Sequence, residues 1–252
     1  MIPNMSNRSS PRPYREKKSA GSAFRSLRAS PHAYGTPTAA PGWRRNWRCS
    51  MATPPTAPPA VITRCTTPAR VILAVNANRL IAEGAADRVL IVDLDVHQGD
   101  GTASLMAGRT DVFTFSMHAA KNFPVRKARS GLDVELADGT GDEDYLAELA
   151  RHLPVLLDGF RPDIVLYQAG VDPHHDDRLG RLALSDEGLE QRDTYVVDQV
   201  RRRGLPVASA LGGGYGADQH AVAARHAASM LAMARENARH PAPPHGVRQD
   251  DR

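Results

Sequence analysis

From residue 72 onward, apolar positions recur with periods that alternate between helix and strand. ILAVNANRLIAE is helix-like and stops at Gly84, a natural C-cap. RVLIVDLDV follows as a near-continuous apolar strand, the kind usually buried on both faces. DVFTFSM is a second strand, and the stretch from Lys121 to Gly141 reads as a long loop. A helix then opens near Asp142, placing Leu146, Leu149, Leu153 and Leu156 on one face, with Pro154 as the point for a kink. PDIVLYQAG is the third strand. Ser185 is placed to cap a helix running towards Arg203 and closing at Gly204. LPVASAL is a fourth strand ending in Gly212, Gly213 and Gly214, and a last helix is predicted from roughly residue 219 to 237. Strands alternating with helices imply a parallel sheet covered on both sides, in which ligands collect beyond the carboxyl ends of the strands.

Residues 1–70 show no such period. They are rich in Arg, Pro, Ser, Ala and Thr and contain ATPPTAPPA, so they are predicted to be disordered or aberrant. Residues 71–237 form the predicted α/β domain, and 238–252 a polar tail. Charge divides along the same line: the first seventy residues hold twelve Lys or Arg against one acid, Glu16, a balance of +11, which leaves −7 for the rest of a chain whose total is +4. The basic pI near 9.3 therefore belongs to the first segment. A nucleic-acid reading of the whole protein is weakened, because the remainder is mildly acidic like many soluble enzymes. Cys49 and Cys65 both lie in the basic segment without a CxxC, which points to a reducing compartment. No apolar run of about 18 residues exists for a membrane span, and the beginning lacks the apolar core of a secretory signal, so the cytoplasm is the expected location.

Each strand ends in polar or glycine-rich sequence: Asp93, Asp95 and His97, then Ser116 and His118, then Asp172, then Gly212 to Tyr215. Asp95 and His97 are spaced i, i+2, so at an extended strand end they point to one side and could share a cation, with Asp172 as a third ligand. The alternative for such a pair is hydrogen bonding to loop backbone. His174 and His175, beside Asp172, are alternative ligands or acid/base groups, although DPHHDDR reads as an exposed loop. Tyr215 follows three glycines that permit close backbone approach, so its phenol either leans into a cleft or merely packs.

Together, DLDVHQGDGT, FSMH, QAGVDPHHDDRLGRLALS and LGGGYG resemble the histone deacetylase and acetylpolyamine amidohydrolase superfamily, especially its bacterial and class IV members. The resemblance covers roughly residues 71–237. It implies an arginase-like three-layer α/β fold around a central parallel sheet, and removal of an acyl group from a lysine of a protein or from a polyamine. By similarity, Asp95, His97 and Asp172 match the zinc ligands, which leave an open position for water and the amide carbonyl. Tyr215 matches the tyrosine that hydrogen-bonds the developing oxyanion. Asp93 and Ser116 match groups around a structural monovalent cation, potassium in the family. Phe123 matches an aromatic wall of the acyl-lysine channel.

The match fails upstream. Family members carry an adjacent His-His pair before the DxH, and these imidazoles supply the general base and acid. Here that stretch reads TAPPAVITR, and His32 is the only histidine before His97. Asp93 and Asp100 match the carboxylates that orient the missing imidazoles. The first strands of the family fold are also expected in this region, yet no apolar strand pattern appears. The GC-rich composition suggests translation in a shifted reading frame, the leading explanation. Divergence into a metal-binding or acyl-lysine-binding pseudoenzyme is the alternative, and a substitute base from His118, His174 or His175 a third. An arginase-like binuclear hydrolase would need a DxHxD pattern that Gly99 interrupts.

Overall fold

The computed structural model describes residues 68–240. The basic segment at 1–70 and the polar tail at 238–252 lie, except for their inner ends, outside the described residues.

The described elements run α1 (Pro68–Ala82), β1 (Val89–Asp93), α2 (Asp100–Leu105), β2 (Val112–Ala119), β3 (Leu132–Leu136), α3 (Asp142–Phe160), β4 (Ile164–Ala169), α4 (Asp186–Arg201), β5 (Val207–Leu211) and α5 (Gln219–Arg239). All five strands are parallel, in the order β3-β2-β1-β4-β5. The chain builds outward from β1 to β2 and β3, then crosses back through α3 to set β4 on the other side of β1. The order therefore reverses between β1 and β4, the place where an open α/β sheet leaves a crevice at its carboxyl edge. Register aligns Asp93 with Ser116 on one side and Gln168 on the other, so these three residues form one row at that edge.

Alternation along the strands divides the core in two. Val89 and Ile91 of β1, with Val112 and Leu166, meet Leu73, Ala74 and Ala77 of α1 and Met106 just beyond α2. The opposite face presents Phe113 and Phe115, whose rings lie against Phe160 and His152 of α3, and Tyr167, which bonds Asp193 of α4. β1 and β2 are buried along their whole length, as their apolar runs require; β5, at the edge among the described strands, is half-exposed. Helix termini follow local chemistry. Gly84 has φ +65°, and the bonds from Ala85 N to Leu80 O and from Gly84 N to Ile81 O close α1 in a left-handed cap suited to glycine. Ser185 Oγ accepts from Gly188 N at 3.0 Å and caps α4. α3 runs on through Pro154 as one helix.

One expectation is corrected. The stretch from 121 to 141 is not all loop, since Leu132–Leu136 forms β3. LDVEL is short and carries two acids. It becomes a strand by pairing in register with β2, Phe115 opposite Leu132, rather than by any strong pattern of its own.

Candidate metal centre

Three groups of side chains among the described residues have metal-ligand composition: Asp95, His97 and Asp172; His174, His175 and Asp176; and Asp198, Glu236 and His240. They differ in burial and in what already occupies them.

The first group sits at the crevice between β1 and β4. Asp95, His97 and Asp172 are all buried, with Asp172 at 0% exposure. His97 Nδ1 lies 3.1 Å from Asp95 Oδ1 and 3.1 Å from Asp172 Oδ2, so one imidazole nitrogen faces both carboxylates. Backbone N–H groups fix the carboxylates: Val96 N donates to Asp172 Oδ1 at 2.8 Å, and Gly213 N to Asp95 Oδ2 at 2.7 Å. Gly213 has to be glycine, since a Cβ there would stand 1.9 Å from Asp172 Oδ2.

Electrostatics follow from this packing. Burial by itself disfavours a charged His97, but hydrogen bonds with Asp172 and Asp95, together with their charges, outweigh it and push the imidazole up to about 9. Burial and then repulsion from Asp95 push Asp172 up to about 7, with His97 pulling the other way. A positive charge between the carboxylates relieves their repulsion. The protonated imidazole supplies one such charge, and a divalent cation would supply two. An O, N, O donor set whose atoms lie within 4.8 Å of one another fits such an ion.

The remaining predicted residues fall around this cluster. The Tyr215 ring stands edge-on to His97, with centroids 5.9 Å apart at 89°, and its backbone N donates to Asp177 Oδ2 at 2.6 Å. Asp93 is buried and accepts from Asp95 N at 3.2 Å. Ser116 Oγ lies 3.0 Å from His118 Nδ1 and 3.4 Å from Gly99 N. Asp100 opens α2. Phe123 is 62% exposed on the loop after β2. Asn122 ties that loop to the segment after β4, donating to Leu179 O and accepting from Arg181 N.

The exposed reading of DPHHDDR holds for only one of its histidines. His175 is exposed, but His174 is buried; its Nδ1 accepts from Asp176 N at 3.0 Å and its Nε2 lies 3.2 Å from Asp186 Oδ1. Burial, then the charge of Arg225, lowers its basicity. In this group Asp176 already meets Arg225 at 2.9 Å. In the third group, Arg202 and Arg239 bond Asp198 and Glu236, each at 2.6 Å. A cavity of about 600 Å³ borders that third group and shares no residue with the first, so its size does not mark the chemistry.

Arg192 was not among the residues singled out from the sequence. It is fully buried on α4, and its Nη1 donates to Gly170 O at 2.7 Å and to Leu94 O at 3.3 Å. A signal did exist: the apolar stripe Leu189, Val196, Val197 and Val200 is interrupted at its centre by an Arg-Asp pair.

A doubly wound parallel sheet with a buried carboxylate, imidazole and carboxylate at its switch point is thus in hand, and comparison with known proteins gives it a family. Residues 71–231 match the histone deacetylase domain, so the chain belongs to the histone deacetylase family. An uncharacterized protein of Picosynechococcus sp. is 49% identical over 154 residues, covering 61% of this chain and 51% of that protein. Histone deacetylase 2 of Arabidopsis thaliana is 35% identical over 131 residues, covering 51% of this chain and 34% of its own length. The crystal structure of an acetylpolyamine aminohydrolase from Burkholderia pseudomallei shares the fold with a TM-score of 0.53 at 21% identity, over 65% of this chain and 48% of that one. The chain thus spans from a third to about half of the length of these relatives. Among the described residues, no helix is long and apolar enough to cross a membrane.

Proposed function

We propose that the chain carries the metal-holding part of a zinc-dependent amidohydrolase that removes an acyl group from lysine or a polyamine, and that turnover by the sequence as written is impaired. The observation that carries this reading is the meeting of Asp95 and His97, from the end of β1, with Asp172, from the end of β4, around one buried point. Asp95, His97 and Asp172 would hold zinc, which when bound polarises the amide carbonyl and lowers the pKa of the attacking water. The phenol of Tyr215, beside His97, would donate a hydrogen bond to the oxygen that gains charge as the amide carbon becomes tetrahedral. Phe123 would offer an apolar wall to the acyl-lysine stem. Asp93 and Ser116, neighbours across β1 and β2, would contribute oxygens to a structural potassium ion. Acylated lysine in a protein and acylated polyamine are both substrates of the chemistry these groups support.

Impairment follows from the proton inventory. Water attack needs a base and amine departure needs an acid, and the only histidine before His97 is His32. His118 and His174 each have one ring nitrogen already held, His118 Nδ1 by Ser116 Oγ at 3.0 Å and His174 Nδ1 by Asp176 N at 3.0 Å. This same observation favours a second reading, a domain that captures zinc and acyl-lysine without turning it over.

The test is a zinc titration of the full chain, followed by incubation of the zinc-loaded protein with an acetyl-lysine peptide and N-acetylputrescine. One zinc per chain and slow release of acetate are expected. Peptide binding with no acetate at any enzyme concentration selects the second reading, and failure to bind zinc overturns both.

A further inference from the structure

We propose that Arg192 is a positioning residue for the metal centre: its guanidinium draws the ends of β1 and β4 together, so that Asp95 and Asp172 stand close enough to share one cation. The inference rests on the reading of Asp95, His97 and Asp172 as metal ligands.

β1 ends at Asp93 and β4 at Ala169, so the carbonyls of Leu94 and Gly170 lie just past the ladder that joins the two strands. Arg192 Nη1 collects both, at 3.3 and 2.7 Å. Each carbonyl belongs to backbone beside a ligand. The Leu94 carbonyl is in the peptide bond to Asp95. Gly170 packs under both carboxylates, for a Cβ built on it would lie 2.8 Å from Asp95 Oδ2 and 2.9 Å from Asp172 Oδ1. Movement of either peptide is therefore movement of the ligand oxygens.

The guanidinium is itself held. Its Nε donates to Asp193 Oδ1 at 2.8 Å, and Asp193 also accepts from Tyr167 of β4 and Ser229 of α5. Arg192 and Asp193 are at 0% exposure. Taking such a pair out of water is costly, and apolar replacements of similar volume often leave a fold as stable. Stability is thus a weak reason for placing an ion pair in the middle of an apolar helix stripe. The last ladder bond between the strands runs from Leu94 N to Gln168 O at 3.2 Å, and what an apolar residue cannot do is donate two hydrogen bonds from one nitrogen to the two carbonyls just beyond it; a planar guanidinium can.

The test compares the full-length chain with R192K, R192M and V196A. Val196 is fully buried on the same helix face, so V196A reports general loosening of the core. Zinc affinity is measured by competition with a chromophoric chelator, the absorption spectrum of the Co2+-substituted protein reports ligand geometry, and thermal melts report folding. R192K should fold, bind zinc roughly 10- to 100-fold more weakly, as is typical when an outer-shell partner of a metal ligand is altered, and give a shifted cobalt spectrum. R192M, if it folds, should be weaker still. V196A should melt lower but keep the wild-type spectrum and affinity. Wild-type affinity and spectrum in folded R192K overturn the positioning role, as does an equal loss in V196A. A wild-type chain that binds no zinc, or whose binding survives D172A, overturns the ligand assignment instead and takes this inference with it.

Discussion

Asp95, His97 and Asp172 on one side, and His174, His175 and Asp176 on the other, draw on the same donor types and meet in the segment after β4, where Asp172 stands two positions before His174, yet the fold sets them apart. The first three come from two strand ends, are wholly buried, and are held by one imidazole and by backbone N–H groups. The second three come from one loop, are largely exposed apart from His174, and include a carboxylate already paired with Arg225. An ion binding at the second group must displace an arginine and compete with water. At the first it replaces a proton and relieves a repulsion between carboxylates. Donor composition alone does not distinguish them; burial and the charge already in place do.

The contrast breaks most directly at Asp172. D172A should retain no zinc after desalting, an effect beyond the roughly 10- to 100-fold loss seen for outer-shell changes, whereas H175A should keep the wild-type stoichiometry. Metal analysis of both variants decides it, and equal retention would erase the difference between the groups. Turnover comes next. The zinc-loaded chain should hydrolyse acetyl-lysine peptides about 10² to 10⁴-fold more slowly than a relative with a placed imidazole pair. Y215F should lower what remains by about 10²-fold, as judged by acetate release. Robust turnover abolished by H174A or H175A would move the catalytic base to the second group.

A smaller effect concerns pH. His97 is raised from 6.5 to about 9, so its contribution to the stability of the metal-free chain is complete below 6.5 and is lost as pH rises through 9. Asp172, raised to about 7, holds its proton above the usual carboxylate range. Zinc must displace such protons, so its apparent affinity should climb between pH 6 and 9 by up to about tenfold per pH unit for each proton released. The thermal shift that zinc produces should widen over the same range, and a flat profile would show that no proton leaves. The smallest effect is expected at His175, more than half exposed: H175A should change stability by no more than about 0.5 kcal/mol, which denaturant titration can check.

Much of the architecture was legible because it is written in short-range pattern. β1, β2 and β4 are apolar runs bounded by polar residues, and Gly84 and Ser185 are local stop and start signals that act within one turn. β3 was not legible, because LDVEL acquires its identity from pairing with β2. Within the candidate site, Asp95 and His97 stood out by their i, i+2 spacing, and Asp172 and Tyr215 by family motif. Arg192 was passed over as one more helical arginine, since nothing near it in the chain shows that it reaches Leu94 O, 98 positions away.

The sequence by itself therefore determined four of the five described strands and the longer helices between them, the placing of polar residues at the strand ends and the lack of an upstream histidine pair, all of which depend on residue types and their near neighbours. Only the tertiary structure decided that Asp95 meets Asp172 and Gly213, that His174 turns inward while His175 does not, and that Arg192 lies beneath the cluster. Those facts depend on pairs up to 118 positions apart, such as Gly213 and Asp95, and such pairs are brought together by strand order and by burial of the two faces of the sheet, which no local period encodes.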